Sequence, residues 1–106
     1  MILKYYKFIW VLLMMVLDLI KDHENEIKNK YSVSKIGVFG SYVRGEEDES
    51  SDIDILVEFH EPTLHNFMGL VFYLEELFGK EVHLVTNNAL SPYIRPTVEK
   101  EVVWCE

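Results

Sequence analysis

The order of patterns along the chain predicts an α/β domain, α+β in arrangement, with a small mixed sheet packed against helices. Three observations carry this. Apolar residues recur at helical spacing from Leu13 towards Lys30, and again from Leu64 to Phe78. Short apolar runs at Ile36–Phe39, Ile53–Phe59 and Val82–Val85 have strand length and β-branched character. The helical and strand patterns alternate rather than segregate.

The first helix is marked by Leu13, Val16, Leu17, Ile20 and Ile27, with Asp18, Lys21, Asp22 and Glu24 between them, and should end near Lys30. Ser32-Val33-Ser34 reads as a short connector. Ile36 to Phe39 is a buried strand stopped by Gly40, and the polar stretch from Gly40 to Ser51, with Gly45 and the acidic run Glu46–Glu49, is an exposed turn and loop. The second strand is Ile53 to Phe59, closed by Pro62. Leu64 to Phe78 puts Phe67, Leu70, Val71, Leu74 and Leu77 on one helical face, with Gly79 as C-cap. After the third strand, Pro92 to Lys100 reads as a helix and Val102 to Trp104 as a short edge strand.

A length of 106 residues supports one domain, and 49% hydrophobic residues supply one core. The formal charge of −8 argues against a nucleic-acid-binding face, which needs clustered Lys and Arg, and suits a basic protein partner or simple acidic solubility. Cys105 is the single cysteine and has no internal partner, so the cytoplasm is the expected compartment.

The apolar run Phe8–Leu17 follows Lys4 and Lys7, but Asp18, Lys21 and Asp22 follow it instead of a small-residue cleavage site. It is shorter than the roughly 20 residues of a membrane helix, so no membrane association is expected. Residues 1–13 therefore read as a leader, either from an upstream start codon or as a helix extension that buries against a partner. The domain proper is expected over 14–106.

The chemistry concentrates between the first two strands. Residues two apart in a strand point to the same face with Cα atoms roughly 6.5 Å apart, so Asp52 and Asp54 would aim two carboxylates the same way. Such a pair repels unless a cation lies between, and Mg²⁺ takes oxygen ligands while leaving positions for substrate phosphates. A lone Asp-X-Asp also fits a solvated strand start. Gly40-Ser41 ends the preceding strand; the glycine allows close approach of a ligand, and a helical turn beginning at Ser41 would offer free N–H groups and a hydroxyl to a phosphate. Arg44, one turn later, would either add contacts to those phosphates or pair with the acidic loop.

Gly40-Ser41, ten residues, then Asp52-Ile53-Asp54 resembles the signature of the DNA polymerase beta-like nucleotidyltransferases. The fuller runs Phe39-Gly40-Ser41-Tyr42-Val43-Arg44-Gly45 and Ser51-Asp52-Ile53-Asp54-Ile55-Leu56-Val57 are similar to the minimal nucleotidyltransferase (MNT) branch, many of whose members are antitoxins encoded beside HEPN-domain toxins. The similarity extends from about Met14 to Glu106. It implies a nucleotidyltransferase fold and two-metal transfer of AMP from ATP to an acceptor hydroxyl with release of pyrophosphate. By the same resemblance Asp52 and Asp54 hold Mg²⁺, with Mn²⁺ as the alternative, and Gly40, Ser41 and Arg44 bind the nucleotide. The implied partner is a HEPN-domain toxin, with self-association also open.

One position departs from the family pattern. Active members carry a third carboxylate in a Val-Asp-Leu-Val context, whereas this chain has Val82-His83-Leu84-Val85. Imidazole is a poorer Mg²⁺ ligand than carboxylate, yet neutral histidine serves as a general base near neutral pH. Glu81 shares the strand face and is a second substitute. His83 thus joins Asp52 and Asp54 as a catalytic candidate. The alternative is an antitoxin that acts by contact alone and retains a vestigial nucleotide site. A small-molecule nucleotidyltransferase fits less well, because the chain has no room for an acceptor-binding domain.

Overall fold

The computed structural model describes residues 2–48 and 50–105, with side chains from Val11 onward. Met1, Glu106, the side chains of the leader up to Trp10, and Glu49 at the close of the acidic run lie outside the described residues. The elements run α1 (Ile2–Asp22), α2 (Glu24–Tyr31), β1 (Val33–Phe39), α3 (Ser41–Arg44), β2 (Ile53–Phe59), α4 (Leu64–Phe78), β3 (Val82–Thr86), a 3₁₀ turn (Asn87–Ala89), α5 (Arg95–Glu101) and β4 (Val103–Trp104).

The four strands form one mixed sheet in the order β3-β2-β1-β4. β1 is antiparallel to β2 and to β4, while β2 is parallel to β3 with α4 as the crossover. Alternation along β2 sends Ile53, Ile55 and Val57 to one face, where they pack with Leu13, Val16 and Ile20 of α1, Ile27 of α2, and Leu70 and Leu74 of α4. Leu56 points to the other face and packs with Phe39, Leu90 and Val98. Ile55, Leu56 and Val57 are all 0% exposed, so β2 is covered on both faces and fixes the middle of the domain. Each such side chain contributes about 1.5–3 kcal/mol by leaving water. By the same alternation Asp54 lies on the face of Leu56, and His83 on that of Val85.

The strand β2, the helix α4 and its Gly79 cap have the bounds the sequence predicts. Thr63 caps α4 by accepting from the Asn66 amide, and the Asn66 side chain is itself buried, donating to the Glu61 carbonyl at 2.9 Å. Other boundaries differ. The expected single first helix breaks at His23, whose Nδ1 lies 2.8 Å from the Leu19 carbonyl and whose backbone leaves helical geometry at φ −110°, ψ 16°. The break redirects α2 so that Ile27 and Tyr31 reach the core. The expected connector is in fact the start of β1: Ser32, at φ 59°, reverses the chain in one residue and Val33 already pairs with Phe59. The last helix starts at Arg95 rather than Pro92, with Pro96 in its first turn, where a missing N–H costs nothing. In the loop after α3, Glu47 is not exposed as expected; both its carboxylate oxygens are shielded from solvent without a hydrogen-bond partner among the described residues.

Leu13 is 3% exposed and belongs to the helix-side core, one residue ahead of the expected domain start. Beyond the core, α1 exposes Val11, Leu12, Met14 and Met15, and α4 exposes Leu64, Met68 and Phe72 at successive turns. No described helix is long and apolar enough to cross a membrane.

The closing segment fits because of Gly37. A Cβ there would lie 2.8 Å from the Val103 carbonyl and 2.9 Å from the Trp104 ring. Since the nearest obstacle is backbone, it cannot swing aside. Gly37→Ala is expected to loosen β4 and destabilise the domain by about 1–3 kcal/mol, read from the midpoint of urea unfolding.

Candidate nucleotide and metal site

One cross-strand row carries the site. Phe39 pairs with Asp54, and Asp54 with His83, so the end of β1, the start of β2 and the start of β3 meet side by side. Immediately after Phe39 the chain turns at Gly40, with φ 76° and ψ −146°, a conformation that side-chain-bearing residues rarely adopt. A Cβ at Gly40 would overlap the Asp54 carboxylate. Glycine here therefore serves twice: it permits the turn, and it leaves space against the acid.

The turn leads into the short helix α3. The Gly40 carbonyl accepts from the Val43 and Arg44 amides at 3.1 Å each, and the Ser41 carbonyl accepts from Glu46 N–H at 2.9 Å. The first turn leaves the Ser41 and Tyr42 amides without intrahelical acceptors, beside the Ser41 hydroxyl. The conditional reading of a helical turn at Ser41 is thus what the backbone does.

Asp52 precedes β2 and is exposed, whereas Asp54 lies within it with 22% of its side chain exposed. Among the described residues no Lys or Arg pairs with either acid. Among the described residues their one ionisable partner is His83, whose Nδ1 lies 3.1 Å from Asp54 Oδ1. Two hard oxygen donors without a fixed counter-charge, beside a glycine that opens the backbone, suit a Mg²⁺ ion. No three His, Cys, Asp or Glu side chains among the described residues form a closed cage. Mg²⁺ commonly takes one or two carboxylates and completes its shell with water and substrate phosphates, so the donor set fits.

Arg44 resolves to both of its pairings within the protein. Its Nε donates to Glu46 at 2.8 Å, and its Nη1 donates to both Glu101 oxygens at 3.0 Å. The Glu46 carboxylate, and then that of Glu101, hold the guanidinium above its ordinary pKa. Glu101 was not signalled by the sequence. It lies 57 residues from Arg44 and 61 from Gly40, and nothing but a terminal acid on a short helix marks it, yet it also accepts the Gly40 amide at 2.9 Å. Lys80, likewise unmarked, donates to the Tyr42 hydroxyl at 3.1 Å.

The remaining candidate, Glu81, stands apart. Glu81 is exposed just ahead of β3, where its carbonyl accepts from Ile53 N–H at 3.1 Å. His60 and His65 are exposed on the connection before and into α4. A cavity of about 270 Å³ between Val57, Phe59, Pro62, Thr86 and Asn87 lies at the opposite strand ends, away from the two aspartates.

Residues 20–105 match the family model described as the nucleotidyltransferase domain. The chain is 48% identical over 88 residues to the protein adenylyltransferase MntA of Thermococcus cleftensis, covering 82% of this chain and 89% of that one. Among solved structures, a provisionally named minimal nucleotidyltransferase superposes with a TM-score of 0.67 at 33% identity, over 82% of this chain and 93% of the other. An MNT antitoxin in complex with a tri-AMPylated Shewanella oneidensis HEPN toxin shares the fold, with a TM-score of 0.60 at 19% identity over 85% of this chain and 71% of that chain. The match of residues 20–105 to the family model, with 48% identity to a relative over most of both chains, establishes that this chain belongs to the nucleotidyltransferase family, alongside its minimal members.

Proposed function

We propose that the protein is an antitoxin that transfers AMP from ATP to a hydroxyl of a partner HEPN-domain toxin. The observation that carries the reading is the packing of the Gly40-Ser41 turn directly against Asp54. In this reading the free Ser41 and Tyr42 amides would meet phosphate oxygens next to an Asp54 carboxylate that would meet a divalent ion. The naming of MntA as a protein adenylyltransferase and the AMPylated toxin held by a neighbour of the same fold support the substrate and the partner.

In this reading Asp52 and Asp54 hold Mg²⁺, and Ser41 with the Gly40 turn seats the nucleotide phosphates. The bound metal supplies charge neutralisation of the triphosphate and of the attacking and leaving oxygens. The acceptor oxygen forms a bond to the α-phosphorus as the bond from that phosphorus to the bridging oxygen breaks, and pyrophosphate leaves. The acceptor proton needs a base, and His83 meets the requirement. When Nδ1–H donates to Asp54, Nε2 keeps its lone pair free; the Asp54 contact selects that tautomer and orients the ring. Little further protein chemistry is needed, because positioning and charge stabilisation supply most of the acceleration.

A protein acceptor suits the chain. The proposed site opens at strand ends beside the loop that follows α3. The chain's charge of −8 would speed encounter with a basic partner, and the exposed Leu64, Met68 and Phe72 stripe is the kind of surface a partner covers. Contact-only neutralisation is the second reading, favoured by His83 standing where active relatives are expected to carry a carboxylate.

Calorimetric titration with Mg²⁺ and AMP-PNP is expected to show metal-dependent nucleotide binding that falls at least about tenfold in Asp52→Asn and Asp54→Asn, since each removes a charge from the ion's shell. Equal binding in all three proteins would remove the site assignment. His83→Ala should keep nucleotide affinity and slow transfer by about 10²-fold or more, the usual contribution of a general base. A faster His83→Asp enzyme would instead mark the imidazole as a lost metal ligand. Mass spectrometry of the co-expressed toxin should show added adenylate, absent with Asp52→Ala or Asp54→Ala. An unmodified yet neutralised toxin would select the contact-only reading.

A further inference from the structure

We infer that Arg44 serves the nucleotide site through Glu101 rather than by touching phosphate, the two side chains forming a neutral clamp on the Gly40 turn. The inference rests on the nucleotide reading above and deepens it.

Glu101 is held firmly on both sides. Val98, one turn earlier on α5, is 5% exposed in the cluster with Phe39 and Leu56, and the Val102 amide donates to the Val98 carbonyl at 2.9 Å. Directly afterwards β4 pairs Val103 with Val38 and Trp104 with Gly37, and the Cys105 amide donates to the Ile36 carbonyl. The Glu101 side chain is 15% exposed, and its carboxyl reaches back to the far end of β1. There Oε1 accepts both the Gly40 amide at 2.9 Å and Arg44 Nη1 at 3.0 Å, while Oε2 accepts the same nitrogen.

This arrangement has an electrostatic consequence. A carboxylate bonded to the Gly40 amide sits where an incoming triphosphate would be repelled. Arg44 cancels that charge, and with Nε on Glu46 and Nη1 on Glu101 its planar group is already oriented by two acids of this chain. Removing Arg44 alone would expose the Glu101 charge to the phosphates. Removing the Glu101 charge as well would relieve the repulsion, because a glutamine oxygen still accepts from Gly40. Both side chains are positioning residues, and their effects on ATP are coupled in a way that direct phosphate binding by Arg44 would not produce.

A double-mutant cycle tests this with Mg²⁺ and AMP-PNP by calorimetry, each variant first checked for cooperative melting. Arg44→Ala should weaken binding about tenfold. Glu101→Gln should bind within about threefold of wild type, and Arg44→Ala/Glu101→Gln should return to within about threefold of Glu101→Gln. A double variant as weak as Arg44→Ala, or an Arg44→Ala protein that binds like wild type, would overturn the proposal. Amide hydrogen exchange provides a readout that needs no nucleotide. Glu101→Ala should speed exchange at Gly40 about tenfold while the β2 amides stay protected, whereas unchanged exchange at Gly40 would remove the clamp. If wild type binds no nucleotide, the functional reading fails and the exchange comparison alone decides the clamp.

Discussion

The structure depends on one close approach, that of the Gly40 backbone to the Asp54 carboxylate. Any side chain at residue 40 would occupy the space of that acid and force the chain out of its φ 76° turn. Because the turn is permitted, β1 can run to Phe39 beside Asp54 and pass straight into α3 without climbing away from the sheet. The free amides of Ser41 and Tyr42 and the Asp54 carboxylate then occupy neighbouring strand ends, the arrangement on which the proposed metal–nucleotide site rests. The hydrophobic layers serve this contact. Residues covered on both faces of β2 fix the height of Asp54, and Phe39 fixes the take-off of the turn.

The C-terminal segment closes the arrangement from the other side. It contributes little core of its own, with only two residues in β4, yet it spans the sheet edge from Ile36 to Gly40. Strand pairing through Val103, packing through Val98 and charge through Glu101 act in turn on Val38, Phe39 and Gly40. The local dielectric favours this use of charge: Glu101 is mostly shielded, while Arg44 is nearly half exposed and retains its solvation. In the Arg44–Glu46 pair the acid is far more exposed than Glu101, and the pair adds direction more than stability.

Much of this was legible in the sequence, for identifiable reasons. β2 and α4 announce themselves because the β-branched Ile53, Ile55 and Val57 recur at strand spacing and because Pro62 and Gly79 bracket a helical period. Gly40, Ser41, Asp52 and Asp54 stood out as candidates because a glycine turn, a hydroxyl and two acids are recognisable by residue type at short spacing. The break at His23 was not, since the apolar period continues across it and the cause is a ring-to-carbonyl contact with Leu19. Val33 was hidden by flanking serines, and its place in β1 depends on Ser32 adopting a left-handed conformation. Glu101 was invisible for a different reason: its meaning lies in a contact across 61 residues, and no local pattern encodes one. The same contact shows why Arg44 left two options open in sequence, because its partners are decided by where α5 ends.

The central claim is that metal and nucleotide meet at the Gly40 turn, Asp52 and Asp54. The most direct measurement is an NMR titration of ¹⁵N-labelled protein with AMP-PNP and substoichiometric Mn²⁺, whose unpaired electrons broaden nearby amide signals. The account predicts that Gly40, Ser41, Ile53 and Asp54 broaden first, with His83 close behind, and that the amides of β4 and α2 stay sharp. Earliest broadening around His23, Glu26 and Glu76, which line a separate polar groove between α2 and α4, would contradict it. So would uniform broadening over the acidic surface.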